Sequence, residues 1–424
     1  MAYFQIEGGN PLRGEVEIPG AKNAALPMLC ASLLTREKCI FHNVPEISDV
    51  VTLLDLFDEM GAEVAHDFAS KTVEITAKDL DLSKLVSSEL AKKMRASILT
   101  LGPLLARFGS VQIRQPGGCV IGARSNATHL DAFQNLGATI SEVDDSISVS
   151  FDREKFAHNW VLFSEASVTA TENLALFAAG IEDEVDLFFT AAEPHVQATC
   201  RMLQQMGAQV SGIGTHHLSI RGTKNLTGGE FTLPPDGILV GTYAVAAALT
   251  RGDLLLKNVD HTELLSFYGA LKRIGVNFQI QQNALRVSGE QKFQAIPKIQ
   301  TAIYPGFPTD LQSLVGVLLT QCAGKSMIFE TLFENRFTYL VELERMGAKV
   351  KILNPHQAKI YGPTPLHGAE VQSWDLRAGA AMVIAGLVGE GTTRVSHINY
   401  IERGYERFEE NLRALGADIR RVEK

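Results

Sequence analysis

The chain has little cysteine, no long apolar run and no concentration of positive charge. Each absence excludes something. Five cysteines in 424 residues is an odd and small number. Cys30, Cys39, Cys200 and Cys322 lie in or beside helix and strand patterns, which favours inert thiols in a reducing cytosol over a disulfide framework. No apolar stretch is long enough to cross a bilayer. The start, "MAYFQIEGGN", lacks a basic segment followed by an apolar core, so no signal peptide is read there and a cytoplasmic location is expected. With a formal charge of −9 and no basic tract, neither nucleic acid nor membrane is expected as a partner. The histidines show no H-E-x-x-H spacing and no Cys/His pairs occur, so no metal or other cofactor is implied. There is no P-loop, and no G-x-G-x-x-G follows a strand pattern. An apolar fraction of 46% is ordinary for a globular α/β protein.

What the chain does have is repetition. "FDEMGAEV", "FQNLGATI", "LQQMGAQV", "LKRIGVNF", "LERMGAKV" and "LRALGADI" place a helical pattern before Gly61, Gly137, Gly207, Gly275, Gly347 and Gly416. A spacing of roughly 70 residues suits a compact α/β unit better than a solenoid repeat. Glycine supplies a left-handed helix cap, and the residues after it start a strand. Reading backward, each repeat has a short β-rich run, such as "VDLFFTAA", preceded by a nearly all-apolar helix, such as "VGTYAVAAALT" or "RAGAAMVIAGLV". A helix apolar on most faces is buried. The predicted unit is therefore strand, buried helix, strand, outer helix, glycine corner, strands. Its buried helices must be walled by sheet. A chain this long divides most economically into two domains of three repeats.

Cys119 stands apart from the other thiols, in the glycine-rich loop "QPGGCVIGAR" with Arg114 and Arg124 nearby. Glycines let a loop move and let backbone approach a ligand. Cations lower a thiol's pKa, so Cys119 is a candidate proton donor or acceptor. Lys22, Arg95, Arg336, Arg377 and Arg403 fall at or near junctions where helices begin. Helix N-termini attract anions, and arginine binds two oxygens at once, so this recurrence points to a small polyanion. Asp310 and Asp375 open buried helices, where an aspartate is at least as often a cap as a base. His129 and His195 lie near these loops but read as surface histidines.

In combination, "PGAKNAALP", "MRAS" with "LGPLLARFG", "PGGCVIGAR", "FPTDLQ", "FENRF", "DLRA" and "RGYER" with "NLRALGA" resemble the UDP-N-acetylglucosamine enolpyruvyl transferases of bacterial cell-wall synthesis. The resemblance spans essentially the whole chain. It implies an inside-out α/β barrel of six βαβαββ-like repeats. One domain would be 22–234, carrying the Cys119 loop, and the other 1–21 with 235–424, closing like a hinge around substrate. It implies transfer of the enolpyruvyl group of phosphoenolpyruvate to the 3-hydroxyl of UDP-N-acetylglucosamine, with release of phosphate and no cofactor. By the same resemblance, Lys22, Arg124 and Arg403 bind phosphate. Arg336 and Arg377 lie near the carboxylate, with Arg95 close to that pocket. Cys119 protonates the enol carbon and is the thiol alkylated by fosfomycin. Asp310 meets the sugar hydroxyl with Asp375 as its partner, and Asn23 and the Leu332 backbone contact the sugar.

The departures from the family pattern cluster on the nucleotide side. Ala127 replaces an aspartate of the uracil wall. Glu165 replaces the lysine before a diphosphate loop, which here reads Ser167-Val168-Thr169. His195 replaces a glutamate, and Gly237 and Leu239 replace an arginine and a glutamate. A carboxylate facing a diphosphate is repulsive unless it turns away. These changes keep open a paralogue acting on another nucleotide or sugar. A catalytically silent binding homologue is disfavoured by the intact Lys22, Cys119 and arginine set.

Overall fold

A computed structural model describes residues 2–423, apart from 94, 116–125, 144 and 157 and the side chains of 92–96, 143 and 155. The fold is mixed α/β. Its described residues form two compact units, one of residues 20–115 with 126–234 and the other of residues 2–19 with 235–423. Each unit carries three small sheets.

The apolar helical patterns become helices enclosed on all sides. In the first unit, Val168–Ala179 packs against both Lys22–Ala31 and Leu101–Phe108. In the second, Gly237–Leu249, Gln312–Thr320 and Leu376–Val388 pack against one another. Their sequences are rich in alanine and leucine, so helix propensity and burial agree. Two of these inner helices begin with a side-chain cap. Asp236 accepts from the N–H groups of Ile238 and Leu239 at 2.8 and 3.1 Å, and Asp375 from those of Arg377 and Ala378 at 2.7 and 3.0 Å.

The sheets follow the repeat. Lys298–Gln300, Gly324–Phe329, Gln357–Gly362 and Lys349–Asn354 lie side by side in that order. The first pair is parallel, joined through the inner helix Gln312–Thr320, and the others are antiparallel. In another sheet the strand Tyr3–Glu7 runs antiparallel between Thr392–Ser396 and Asp418–Val422.

All six repeated glycines adopt positive φ, between 92° and 114°. Each follows an outer helix: Ser48–Glu59, Ala127–Asn135, Pro194–Gln205, Leu265–Ile274, Thr338–Arg345 or Phe408–Ala414. At every corner the residue after the glycine donates its N–H to the carbonyl five positions back, at 2.9–3.0 Å. The pairs are Ala62 to Phe57, Ala138 to Phe133, Ala208 to Leu203, Val276 to Leu271, Ala348 to Leu343 and Ala417 to Leu412. This is the Schellman bond, with its accompanying apolar contact, since both members of each pair are buried. The repeated Leu/Phe-x-x-x-Gly-Ala pattern thus encodes the turn that passes each outer helix into its sheet.

A carboxylic acid lies buried midway along one of the inner helices. Glu172, on Val168–Ala179, is buried and its Oε1 has no hydrogen-bond partner. Burial first, and then the nearby Glu193, hold its carboxyl well above the ordinary 4.5. The folded state therefore keeps a proton that the unfolded chain gives up. Glu172 costs nothing below the ordinary value and destabilises progressively as pH rises above it. Glu172→Gln is expected to gain stability on the wild type between about pH 4 and pH 8, a trend that thermal unfolding across that range reads. Gly207→Ala is expected to lower unfolding free energy by about 1–2 kcal/mol. The new Cβ would meet nothing within 4 Å, so a urea midpoint that did not fall would remove the backbone explanation of the corner.

Candidate active site

In the unit of residues 2–19 and 235–423, three predicted residues meet around one carboxylate. Asp310 lies in the turn Thr309–Leu311 that leads into the inner helix Gln312–Thr320. Arg336 donates through Nη2 to Asp310 Oδ1 at 2.7 Å, and Arg377 through Nε to Oδ2 at 3.2 Å. Both arginines are almost wholly buried, while the Asp310 side chain is 24% exposed, so the cluster meets solvent through Asp310. Aromatic rings back the guanidiniums: Phe333 lies 5.2 Å from Arg336, and Tyr405 lies 5.4 Å from Arg377. Burial alone would lower the Arg377 pKa, but Asp310, Tyr405 and Asp236 outweigh it and hold the group above its ordinary value.

The sequence left both aspartates open to a capping role, and the structure separates them. Asp375 is the cap of Leu376–Val388, with Oδ1 4.0 Å from Arg336 Nη1. Asp310 is not the cap residue of the turn or of the helix that follows, and it accepts from the arginine pair. Two donors of that pair, Arg336 Nε and Arg377 Nη1, are buried with no hydrogen-bond partner among the described residues. A cationic donor left unsatisfied in the interior is costly, and anionic oxygens are the partners that suit a guanidinium.

Other predicted residues occupy mixed positions. Arg403 does not begin a helix but ends the short Asn399–Glu402, and it is half-buried. Leu332 is partly exposed, and its N–H is donated to Glu330 Oε1 at 2.9 Å. Gly237 and Leu239 open the inner helix Gly237–Leu249, with the Leu239 side chain in the core.

In the unit of residues 20–234, Lys22 is the first residue of its inner helix and is buried. Its Nζ lies 2.8 Å from Asp49 Oδ2, and Asp49 is buried as well. Sequence reasoning missed Asp49, which reads as an ordinary first-turn acid of the outer helix Ser48–Glu59. Asn23, beside Lys22, is half-buried. Ser167 precedes the inner helix Val168–Ala179 without capping it by its side chain.

The expectation of a surface His129 is overturned, since the ring is buried. Its Nε2 is 3.0 Å from Thr169 Oγ1 and its Nδ1 3.1 Å from Asn173 Nδ2. The Asn173 amide is oriented by backbone, because its oxygen accepts from Gly102 N–H and its nitrogen donates to Ile98 O. Nδ1 of His129 therefore accepts, leaving the Nε2 proton to Thr169. Glu165 accepts a hydrogen bond from Thr128 Oγ1 at 3.0 Å, so its carboxylate is turned onto the helix Ala127–Asn135.

Cys119 and Arg124, and the side chain of Arg95, lie outside the described residues. The other four cysteines are free and buried. Burial pushes the Cys39, Cys200 and Cys322 thiols up to about 12 and Cys30 higher still, which keeps them unreactive.

The sequence profile of the EPSP synthase (3-phosphoshikimate 1-carboxyvinyltransferase) family matches residues 6–412. The chain is 42% identical over its full length to a protein of Koribacter versatilis named UDP-N-acetylglucosamine 1-carboxyvinyltransferase, covering 97% of it. A protein of the same name from Halothermothrix orenii is also 42% identical, with both chains fully covered. Among solved structures, the enolpyruvyl transferase NikO from Streptomyces tendae superposes with a TM-score of 0.88 at 24% identity, covering 99% of each chain. EPSP synthase from Acinetobacter baumannii gives 0.76 at 17%, with both chains fully covered. At these identities the structural likeness is one of fold, whereas the sequence relatives reach further. The chain is a transferase and belongs to the enolpyruvyl transferases, in the family of the UDP-N-acetylglucosamine 1-carboxyvinyltransferases.

Proposed function

We propose that this enzyme transfers the enolpyruvyl group of phosphoenolpyruvate to the 3-hydroxyl of UDP-N-acetylglucosamine, releasing phosphate, as a cytoplasmic step in peptidoglycan precursor synthesis. The observation that carries the site reading is the buried arginine pair around Asp310, with two donors still unsatisfied. Those donors suit the carboxylate of phosphoenolpyruvate. Lys22, Arg124 and Arg403 take its phosphate, with Arg95 nearby. Asp310 accepts the proton of the sugar hydroxyl as its oxygen bonds to C2, while Cys119 delivers a proton to C3. The tetrahedral adduct then loses C3's proton and expels phosphate, leaving the enol ether. With the Leu332 N–H committed to Glu330, a sugar contact from that residue falls to its carbonyl oxygen. Asn23, Ser167 and Val168 complete the acceptor contacts, with Asp375 fixing Arg377 through the helix start.

The finer architecture belongs to the same proposal. It consists of two three-repeat domains, 22–234 and 1–21 with 235–424, each an inside-out barrel. The enclosed helices and the six glycine corners support it. Neither nucleic acid nor membrane is a partner in this reading, and no described helix is long and apolar enough to cross a membrane.

One observation favours a second reading, in which the acceptor is a different nucleotide or sugar. Glu165 is held by Thr128 near the uncapped start of Val168–Ala179, where a lysine would attract a diphosphate. Phosphate release from phosphoenolpyruvate with UDP-N-acetylglucosamine, against a panel of other sugar nucleotides, decides between the two. Release with UDP-N-acetylglucosamine supports the first reading, and release only with another acceptor overturns it. Glu165→Lys with Ala127→Asp is expected to tighten UDP-N-acetylglucosamine binding about tenfold under the second reading and to change it little under the first. Asp310→Asn is expected to lower turnover by roughly 10²–10⁴-fold while phosphoenolpyruvate still binds. Turnover near that of the wild type would remove Asp310 from the base role.

A further inference from the structure

We propose that Glu330 is a positioning residue for the transfer, clamping the Asp310 turn to the Leu332 loop. The inference rests on the reading of Asp310 given above. Glu330 follows the strand Gly324–Phe329 and is completely buried. Its Oε2 accepts from Thr309 Oγ1 at 2.8 Å, and Thr309 is the residue immediately before Asp310. Its Oε1 accepts from Thr301 Oγ1 at 2.8 Å and from the Leu332 N–H at 2.9 Å. A single carboxylate therefore holds both ends of the segment 301–309 and the start of the loop that leads to Arg336.

The surrounding bonds fix the geometry of this clamp. Thr301 Oγ1 also accepts from the Thr331 N–H at 2.9 Å, and Thr331 Oγ1 donates to Thr301 O at 2.7 Å. The Thr301 hydroxyl proton is thereby directed at Glu330. On the far side, the Glu330 N–H donates to His356 O, and Glu330 O lies 2.8 Å from His356 Nδ1. The backbone of Glu330 is thus pinned while its side chain reaches Thr301, Thr309 and Leu332. Nothing in this arrangement touches the arginines directly. Its effect is to set where Asp310 sits between them. Each oxygen of Asp310 accepts from a different arginine, so a shift of its backbone alters both contacts together. Misplacement by about 1 Å is enough to cost a reaction roughly 100-fold.

Thr309→Val removes the link to the Asp310 turn without touching Asp310 or the arginines. It is expected to lower kcat about 10- to 100-fold while KM for phosphoenolpyruvate stays within about twofold. Thr309→Ser restores the hydroxyl and is expected to restore kcat. Glu330→Gln keeps the shape of the side chain but offers an amide N–H where acceptors are needed, and it is expected to lower kcat in the same way. Hydrogen–deuterium exchange on Thr309→Val reads the clamp without reference to any acceptor, through faster exchange in segment 301–311. Unchanged kcat in Thr309→Val, a fall not rescued by Thr309→Ser, or unchanged exchange in that segment would each overturn the proposal. A wild-type enzyme that releases no phosphate with any acceptor would sink the functional reading instead, and exchange alone would then decide the clamp.

Discussion

A helix walled on every side can offer chemistry only at its ends. That constraint organises this protein. The inner helices spend most of their length on leucine, alanine and valine, and the charged residues proposed for the site lie where such helices start. Lys22 is the first residue of its helix and Arg377 the second of another, while Asp310 occupies the turn just before a third. The same ends carry the free N–H groups and the positive end of the dipole, so the fold itself favours anions where the side chains also favour them. Placing a cation at such a position is costly unless it is paired. The pairing of Lys22 with Asp49, and of Arg336 and Arg377 with Asp310, reflects that cost.

Asp310 therefore has two relationships to the arginines. Without substrate it is their counter-ion, neutralising charge that would otherwise sit unpaired in the interior. In the proposed reading, a substrate carboxylate takes up the remaining donors, so that each guanidinium is shared between two anions.

Much of this was legible in the sequence because it is encoded locally. The six corners depend on a glycine, an apolar residue after it and another five places before that one, and all six show the same bond. The buried helices announced themselves by lacking a polar face. The relatives support the reaction class drawn from the motifs. What resisted was long-range pairing. Asp49 and Glu330 look like ordinary acids in their own segments, and only the fold brings them to Lys22 and Thr309. His129 looked like a surface histidine because its partners, Thr169 and Asn173, lie some forty residues away. Asp310 and Asp375 share the same local context, one turn from an inner helix, so sequence pattern could not tell the cap from the ion-pair partner.

The placement of the strand Tyr3–Glu7 bears on how the molecule is made. It lies in the interior of its sheet, bonded on one side to Thr392–Ser396 and on the other to Asp418–Val422. Residues of this strand must therefore wait for partners that lie far along the chain, whereas the described strands of the unit of residues 20–234 pair within that unit. On the ribosome the unit of residues 20–234 can fold before most of the other unit has been made. For several hundred residues of translation the Tyr3–Glu7 segment is an unpaired β-strand in search of edges. That interval, rather than any weakness of the finished molecule, is when the chain is most exposed to mispairing and to chaperone capture.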